Sequence, residues 1–86
     1  MAQEKGWMMK KAGKILHYTK YKVFVIEADS KVIPNTYLID DRGRKIGLVV
    51  DVIGPVSKPY LVVKPLIKDP EKYVGKEVYY TREKRK

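Results

Sequence analysis

The stretch KIGLVVDVIGPVSKPYLVVKPLI, residues 45–67, is two apolar runs joined by a corner. The first run, residues 45–53, and the second, residues 59–67, are rich in β-branched residues and bounded by turn residues, which reads as two strands. Between them Gly54, Pro55 and Pro59 break the pattern, while Val52, Ile53 and Val56 keep it apolar where a loop is usually polar. Period-two alternation assigns Ile46, Leu48, Val50 and Val52 of the first run to the core, and Leu61, Val63, Pro65 and Ile67 of the second. Val49, Ile53, Tyr60 and Val62 are then apolar residues on the outer face, flanking the corner. Two prolines stiffen it, which lowers the ordering cost of docking. A rigid apolar surface is what a protein interface requires. The other reading is that Ile53 and Val56 only cap the end of a barrel.

Outward from this corner the same grammar continues. Residues 14–19 (KILHYT) and 21–28 (YKVFVIEA) read as strands with a tight hairpin near Lys20. Pro34 and Asn35 favour a turn before a short strand at 36–40, and Gly43 marks a hairpin loop at 41–45. In residues 69–76 Asp69 is placed to cap one helical turn, with Pro70 at its first position and Gly75 as its stop. Residues 77–81 form the last strand. Six short strands without a helical period predict a small all-β closed barrel, which also hides sheet edges. The expected layout is a flexible basic N-terminus (1–11), a barrel core (12–81) and a basic tail (82–86).

At 86 residues the chain makes one domain. It has no cysteine, so disulfides and thiolate metal sites are excluded. No apolar run approaches a bilayer span, and the first residues lack the apolar centre of a signal peptide, so a soluble cytoplasmic protein is expected. The net charge of +9 is unevenly placed: +5 in residues 1–22, +3 in 82–86, and only +1 between them. Basic ends suit contact with phosphates without reading of sequence. The single Asn, single Gln and absent Cys beside 34% charged residues follow a thermophile pattern.

Catalytic chemistry is poorly represented. His17 is the only histidine and lies within a strand. Asp40 and Asp41 belong to a hairpin loop, where carboxylates bond local amides. Asp51 sits beside the corner, where bonding the amides of Gly54 or Val56 is its expected role. No nucleophile–base pair, metal set or glycine-rich phosphate loop is present, so neither catalytic residue, metal nor cofactor is expected. Seven tyrosines and Trp7 offer faces for stacking bases, without a motif that gathers them on one strand.

The pattern G-x-V-x-D-V-x-G-P-V-x-x-P-Y, carried by Gly47, Val49, Asp51, Val52, Gly54, Pro55, Val56, Pro59 and Tyr60, resembles the core domain of the glycine-arginine-rich subunit of H/ACA ribonucleoproteins in its short archaeal form. Tyr73-Val74-Gly75 follows at the family's spacing, and the opening GKILHYTK resembles its first strand; the resemblance spans roughly residues 12–81. Ile53 stands where phenylalanine is common, which keeps an apolar contact and loses ring area. The glycine-arginine tracts of eukaryotic members are not in these residues.

The resemblance implies a six-stranded barrel similar to the second domain of translation elongation factors. It implies a non-catalytic subunit that docks on the catalytic domain of the pseudouridine synthase (the dyskerin homologue). There, away from the guide RNA, it helps substrate rRNA load, take its active position and leave. The contact residues carried over are Val52, Ile53, Gly54, Pro55, Val56, Pro59 and Tyr60. Guide RNA and substrate rRNA share the assembly, mostly without direct specific contact, and no small molecule or membrane is a partner. The alternative is a free-standing RNA-binding barrel that uses basic termini and tyrosines.

Overall fold

A computed structural model describes residues 7–83. Six strands follow in chain order: β1 (Trp7–Tyr18), β2 (Phe24–Ala28), β3 (Tyr37–Ile39), β4 (Lys45–Ile53), β5 (Tyr60–Pro65) and β6 (Glu77–Glu83). They close into a barrel in the order β1-β2-β5-β4-β3-β6, and every neighbouring pair is antiparallel. A short 3₁₀ turn, Pro70–Tyr73, lies between β5 and β6. The all-β closed barrel expected from the sequence is therefore the fold.

The interior is filled by alternate residues of each strand. Ala12, Ile15, Phe24, Ile26, Leu38, Ile46, Val49, Leu61, Val63 and Val78 are buried, with Val32 from the β2–β3 loop closing one end. Tyr18 meets Phe24 edge-on, with ring centroids 5.8 Å apart. No polar or charged side chain is buried among the described residues, so the core carries no desolvation cost from unpaired polar groups.

Three expectations are corrected. The barrel begins at Trp7, not at residue 12, because β1 pairs with β6 from Trp7↔Glu83 to Lys14↔Glu77. The ladder extends β6 to Glu83 for the same reason. Residues 7–11 have little strand character of their own and take it from their partner, as β-propensity generally does. The flexible character expected of residues 1–6 and the tail end 84–86 lies outside the described residues.

The second correction concerns β4. Val49 is buried and Val50 is exposed, the reverse of the simple alternation. Val49 pairs with Val63 and Asp51 with Val62, so Val50 is an extra residue in the ladder with β5; Ile46 is likewise extra in the ladder with β3. Each bulge advances the side-chain phase by one position. After the second, Val52 again packs towards the core. In β5 Leu61 and Val63 are buried as expected.

Asp69 does precede the 3₁₀ turn, but its carboxylate caps no amide; it has φ 55°, ψ 56° and lies 3.9 Å from Lys72 Nζ. Its left-handed backbone carries the oxygen away from the amides a cap would bond.

Candidate docking surface

The corner between β4 and β5 is built on a turn in which the Lys58 amide donates to the Pro55 carbonyl at 3.1 Å. Gly54 enters it with φ 92°, a conformation that L side chains adopt at a cost. A methyl group at Gly54 would stand 3.2 Å from Tyr60 Cδ2 and 3.6 Å from the Lys58 carbonyl oxygen. The Ala28 amide donates to the Pro59 carbonyl at 3.1 Å, and Lys58 Nζ reaches Glu27 Oε2 at 3.4 Å, so the corner is fastened to the end of β2.

The seven residues expected to form one surface divide into two. Val52, Gly54, Pro55, Val56 and Pro59 line an open, mostly apolar groove of about 560 Å³. Ile53 and Tyr60 face each other across β4 and β5 outside that groove. Val56 is 99% exposed and Ile53 47% exposed, whereas Val52 and Tyr60 are half-buried. Of the apolar residues assigned to the outer face, Val49 is a core residue and does not belong to the surface.

The opposite wall of the groove escaped the sequence reading. It is the β2–β3 loop, with Ile33 65% exposed beside Pro34 and the buried Val32. Its signal is two β-branched residues, Val32 and Ile33, directly before the Pro34–Asn35 turn. The wall is held by backbone bonds: Asn35 N–H to Val49 C=O at 2.7 Å, Val49 N–H to Thr36 C=O at 2.9 Å, and Asp29 N–H to Ala12 C=O at 2.8 Å. Ser30 Oγ also donates to the Lys11 carbonyl at 2.8 Å. At the foot of the same loop Lys11 Nζ bridges Asp29 at 3.2 Å and Glu77 at 3.1 Å. Hydrogen bonds to Glu77 and then Asp29 hold the Lys11 pKa above the ordinary lysine value.

The residues considered for catalysis do not converge. His17 is exposed on β1, and Asp51 lies on β4, with β2 and β5 between them around the barrel. Asp51 Oδ1 accepts the Val52 amide at 2.8 Å rather than those of Gly54 or Val56. It thus bonds the strand just past the Val50 bulge. Among the described residues no three His, Asp or Glu side chains group closely enough to hold a metal ion, and no helix is long and apolar enough to cross a membrane.

No family model matches the chain. A relative from Methanocaldococcus jannaschii, described only as the uncharacterized protein MJ0782.1, is 42% identical over 57 residues, which are 66% of this chain and 69% of the relative. Likeness of that degree over that share of both proteins makes them members of one family, and the chain belongs to the family of this archaeal protein.

Proposed function

We propose that the protein is a non-catalytic subunit of the H/ACA guide-RNA pseudouridylation complex, docking through the β4–β5 corner on the catalytic domain of the pseudouridine synthase. The observation that carries the reading is the corner itself. The G-x-V-x-D-V-x-G-P-V-x-x-P-Y pattern falls on a hydrogen-bonded turn whose apolar residues Ile53 and Val56 are left to solvent. Under this reading the barrel is of the elongation-factor second-domain type and works in the cytoplasm on rRNA modification and ribosome biogenesis. The subunit acts by binding one conformation of a mobile synthase loop more tightly than another. A differential affinity of about 1.4 kcal/mol shifts such an equilibrium tenfold.

The test is a titration of the full chain with the purified catalytic domain of an archaeal pseudouridine synthase, at low salt and at 1 M salt on the order of the highest practical ionic strength. Binding that survives salt and is lost in Ile53→Asp/Val56→Asp supports the reading. Each of these side chains contributes about 1.5–3 kcal/mol when buried, so the double variant weakens binding by about a hundredfold or more. Unchanged affinity in the double variant refutes the assignment of the interface.

The competing reading, a free-standing RNA-binding barrel, is favoured by the concentration of charge in residues 1–22 and 82–86. It requires strongly salt-dependent RNA binding by the isolated protein and no salt-resistant binding to the synthase.

A further inference from the structure

The antiparallel order of the barrel sorts its five loops. Residues 29–36 and 54–59 lie at the end that carries the apolar groove; residues 19–23, 40–44 and 66–76 lie at the other. The nine residues of β4, about 27 Å measured along an extended strand, run from one end to the other.

At the second end a shallow groove runs between the β1–β2 loop and residues 64–70. Half-buried Tyr18, Pro65 and Ile67 form its apolar part, and exposed Lys22, Lys64 and Lys68 stand along it. Lys20 is adjacent. Among the described residues none of these four lysines has a carboxylate within 4.0 Å. The one acid of the groove, Asp69, is 3.9 Å from Lys72. Two of the four, Lys20 and Lys22, belong to the basic first 22 residues, and Lys64 and Lys68 to a body whose net charge is only +1; the fold brings Lys22, Lys64 and Lys68 to one groove as a concentrated positive patch.

An exposed aromatic ring stands outside the groove lining, on the β1–β2 loop that carries Lys22. Tyr21, at the tip of the β1–β2 loop, is 76% exposed, and Lys20 Nζ is 5.7 Å from its ring centroid. The tip is ordered rather than loose. Thr19 N–H bonds Val23 C=O at 2.9 Å, Lys22 N–H bonds Thr19 C=O at 2.9 Å, and Tyr21 N–H bonds Thr19 Oγ1 at 3.2 Å. Inside the Thr19–Val23 bond the tip has three residues, Lys20, Tyr21 and Lys22, and the last is left-handed with φ 64°, where glycine is the usual occupant. Here a lysine takes that position beside an exposed tyrosine.

We propose that this end of the barrel binds a single-stranded nucleic acid, with Lys22, Lys64 and Lys68 against the phosphodiester backbone and an unpaired base stacked on Tyr21. Lysines alone would suit any polyanion. The exposed ring, carried on the chain between Lys20 and Lys22, is what favours a nucleic acid, because every base has a face to stack whereas the acidic side chains of a peptide have none. A duplex keeps its bases stacked on one another, so the ring requires a single strand. The site lies at the opposite end from the apolar corner, does not depend on the identity of any protein docked there, and leaves both ends free to be occupied together.

The test is fluorescence anisotropy of a labelled uridine 12-mer and a deoxythymidine 12-mer against the full chain between 50 and 200 mM salt, concentrations on the order of those that resolve phosphate contacts. Lys64→Glu/Lys68→Glu should lower the magnitude of the salt slope by about 1.4. Tyr21→Ala should weaken binding about tenfold with the slope unchanged. Lys10→Ala, an exposed position on β1 outside the groove, should bind as the parent does. The ratio of the two oligomer affinities tells RNA from DNA as the source of the strand. Thermal melts confirm that the exposed substitutions leave the barrel folded. Parent-like binding by the lysine and tyrosine variants overturns the proposal. So does loss of all binding on removal of residues 84–86 alone, or displacement of the oligomer by polyglutamate at equal charge.

Discussion

Replacing Gly54 by alanine tests whether the β4–β5 corner is held in a conformation that only glycine adopts cheaply. The residue has φ 92°, and an L side chain there costs about 1–2 kcal/mol. The added methyl would also stand 3.2 Å from Tyr60 Cδ2, so the ring must turn or the turn must open. Rotating a half-buried ring off its preferred angle costs about 0.5–1.5 kcal/mol. Gly43 provides the reference: its φ is 84°, and a methyl there meets nothing within 4 Å. Gly43→Ala should therefore show the backbone cost alone, and Gly54→Ala that cost plus the ring contact. In a domain of this size each kcal/mol lowers Tm by about 4–8 °C. The assay is urea unfolding followed by circular dichroism, with the slope m unchanged in both variants. Gly54→Ala should also weaken docking at the corner, because Tyr60 moves, whereas Gly43→Ala should not. Equal destabilisation by the two variants would show that the ring contact carries no energy. A cost below about 0.5 kcal/mol at both positions would refute the backbone reasoning itself.

The β4 bulge makes a sharper claim than simple alternation does: Val49→Ala should cost about 2 kcal/mol, as core truncations do, and exposed Val50→Ala less than about 0.5, measured by the same unfolding assay. Ile53→Asp/Val56→Asp should leave the melting temperature of the free protein within a few degrees of the parent, since both side chains are already exposed. Asp40 ties the β3–β4 hairpin. Burial raises its pKa, but the Arg44 and Arg42 amides, each 2.9 Å from Oδ1, and the charges of the same arginines outweigh burial and leave it below the ordinary aspartate value. Its contribution, about 1 kcal/mol, is full above the ordinary aspartate pKa and is lost as pH falls through the lowered one. The gap in unfolding stability between parent and Asp40→Asn should accordingly close as the solution is acidified towards that lowered value.

The barrel was legible because its punctuation is local. Gly43, Gly54 with Pro55 and Pro59, and Pro34 with Asn35 mark turns whatever surrounds them, and β4 occupies the span 45–53 that its flanks define. What escaped was set by partners. Residues 7–11 become strand only through pairing with β6. The inversion at Val49 and Val50 is a property of two ladders, since β4 carries one extra residue towards β3 and another towards β5. Nothing in GLVVDVI marks where the extra residue falls, as any of its valines could occupy either face. The surface was read as one face from the corner alone. The split between the groove residues and the Ile53–Tyr60 pair follows from the restored phase after Val50, and the Ile33 wall from the packing of a loop some twenty positions upstream, a separation on the order of those that sequence patterns do not resolve.

The two walls of the apolar groove are also mechanically joined, and this bears on how small an interface can suffice. The β2–β3 loop is bonded through Asn35 and Thr36 to Val49, immediately before the bulge, while the β4–β5 corner is closed by the Lys58–Pro55 bond. The Ala28–Pro59 bond then links the start of one wall to the end of the other. On mobile loops, each side chain ordered by docking would subtract about 0.5–1.5 kcal/mol from the affinity. Here Pro34, Pro55 and Pro59 and the backbone bonds have already fixed the frame that carries Ile33 and Val56. The ordering cost has been met in folding, and what remains for a partner is mainly the gain from covering exposed apolar side chains. A barrel with bulged strands reaches this arrangement within 86 residues because the same ladder bonds that close its core also hold its surface.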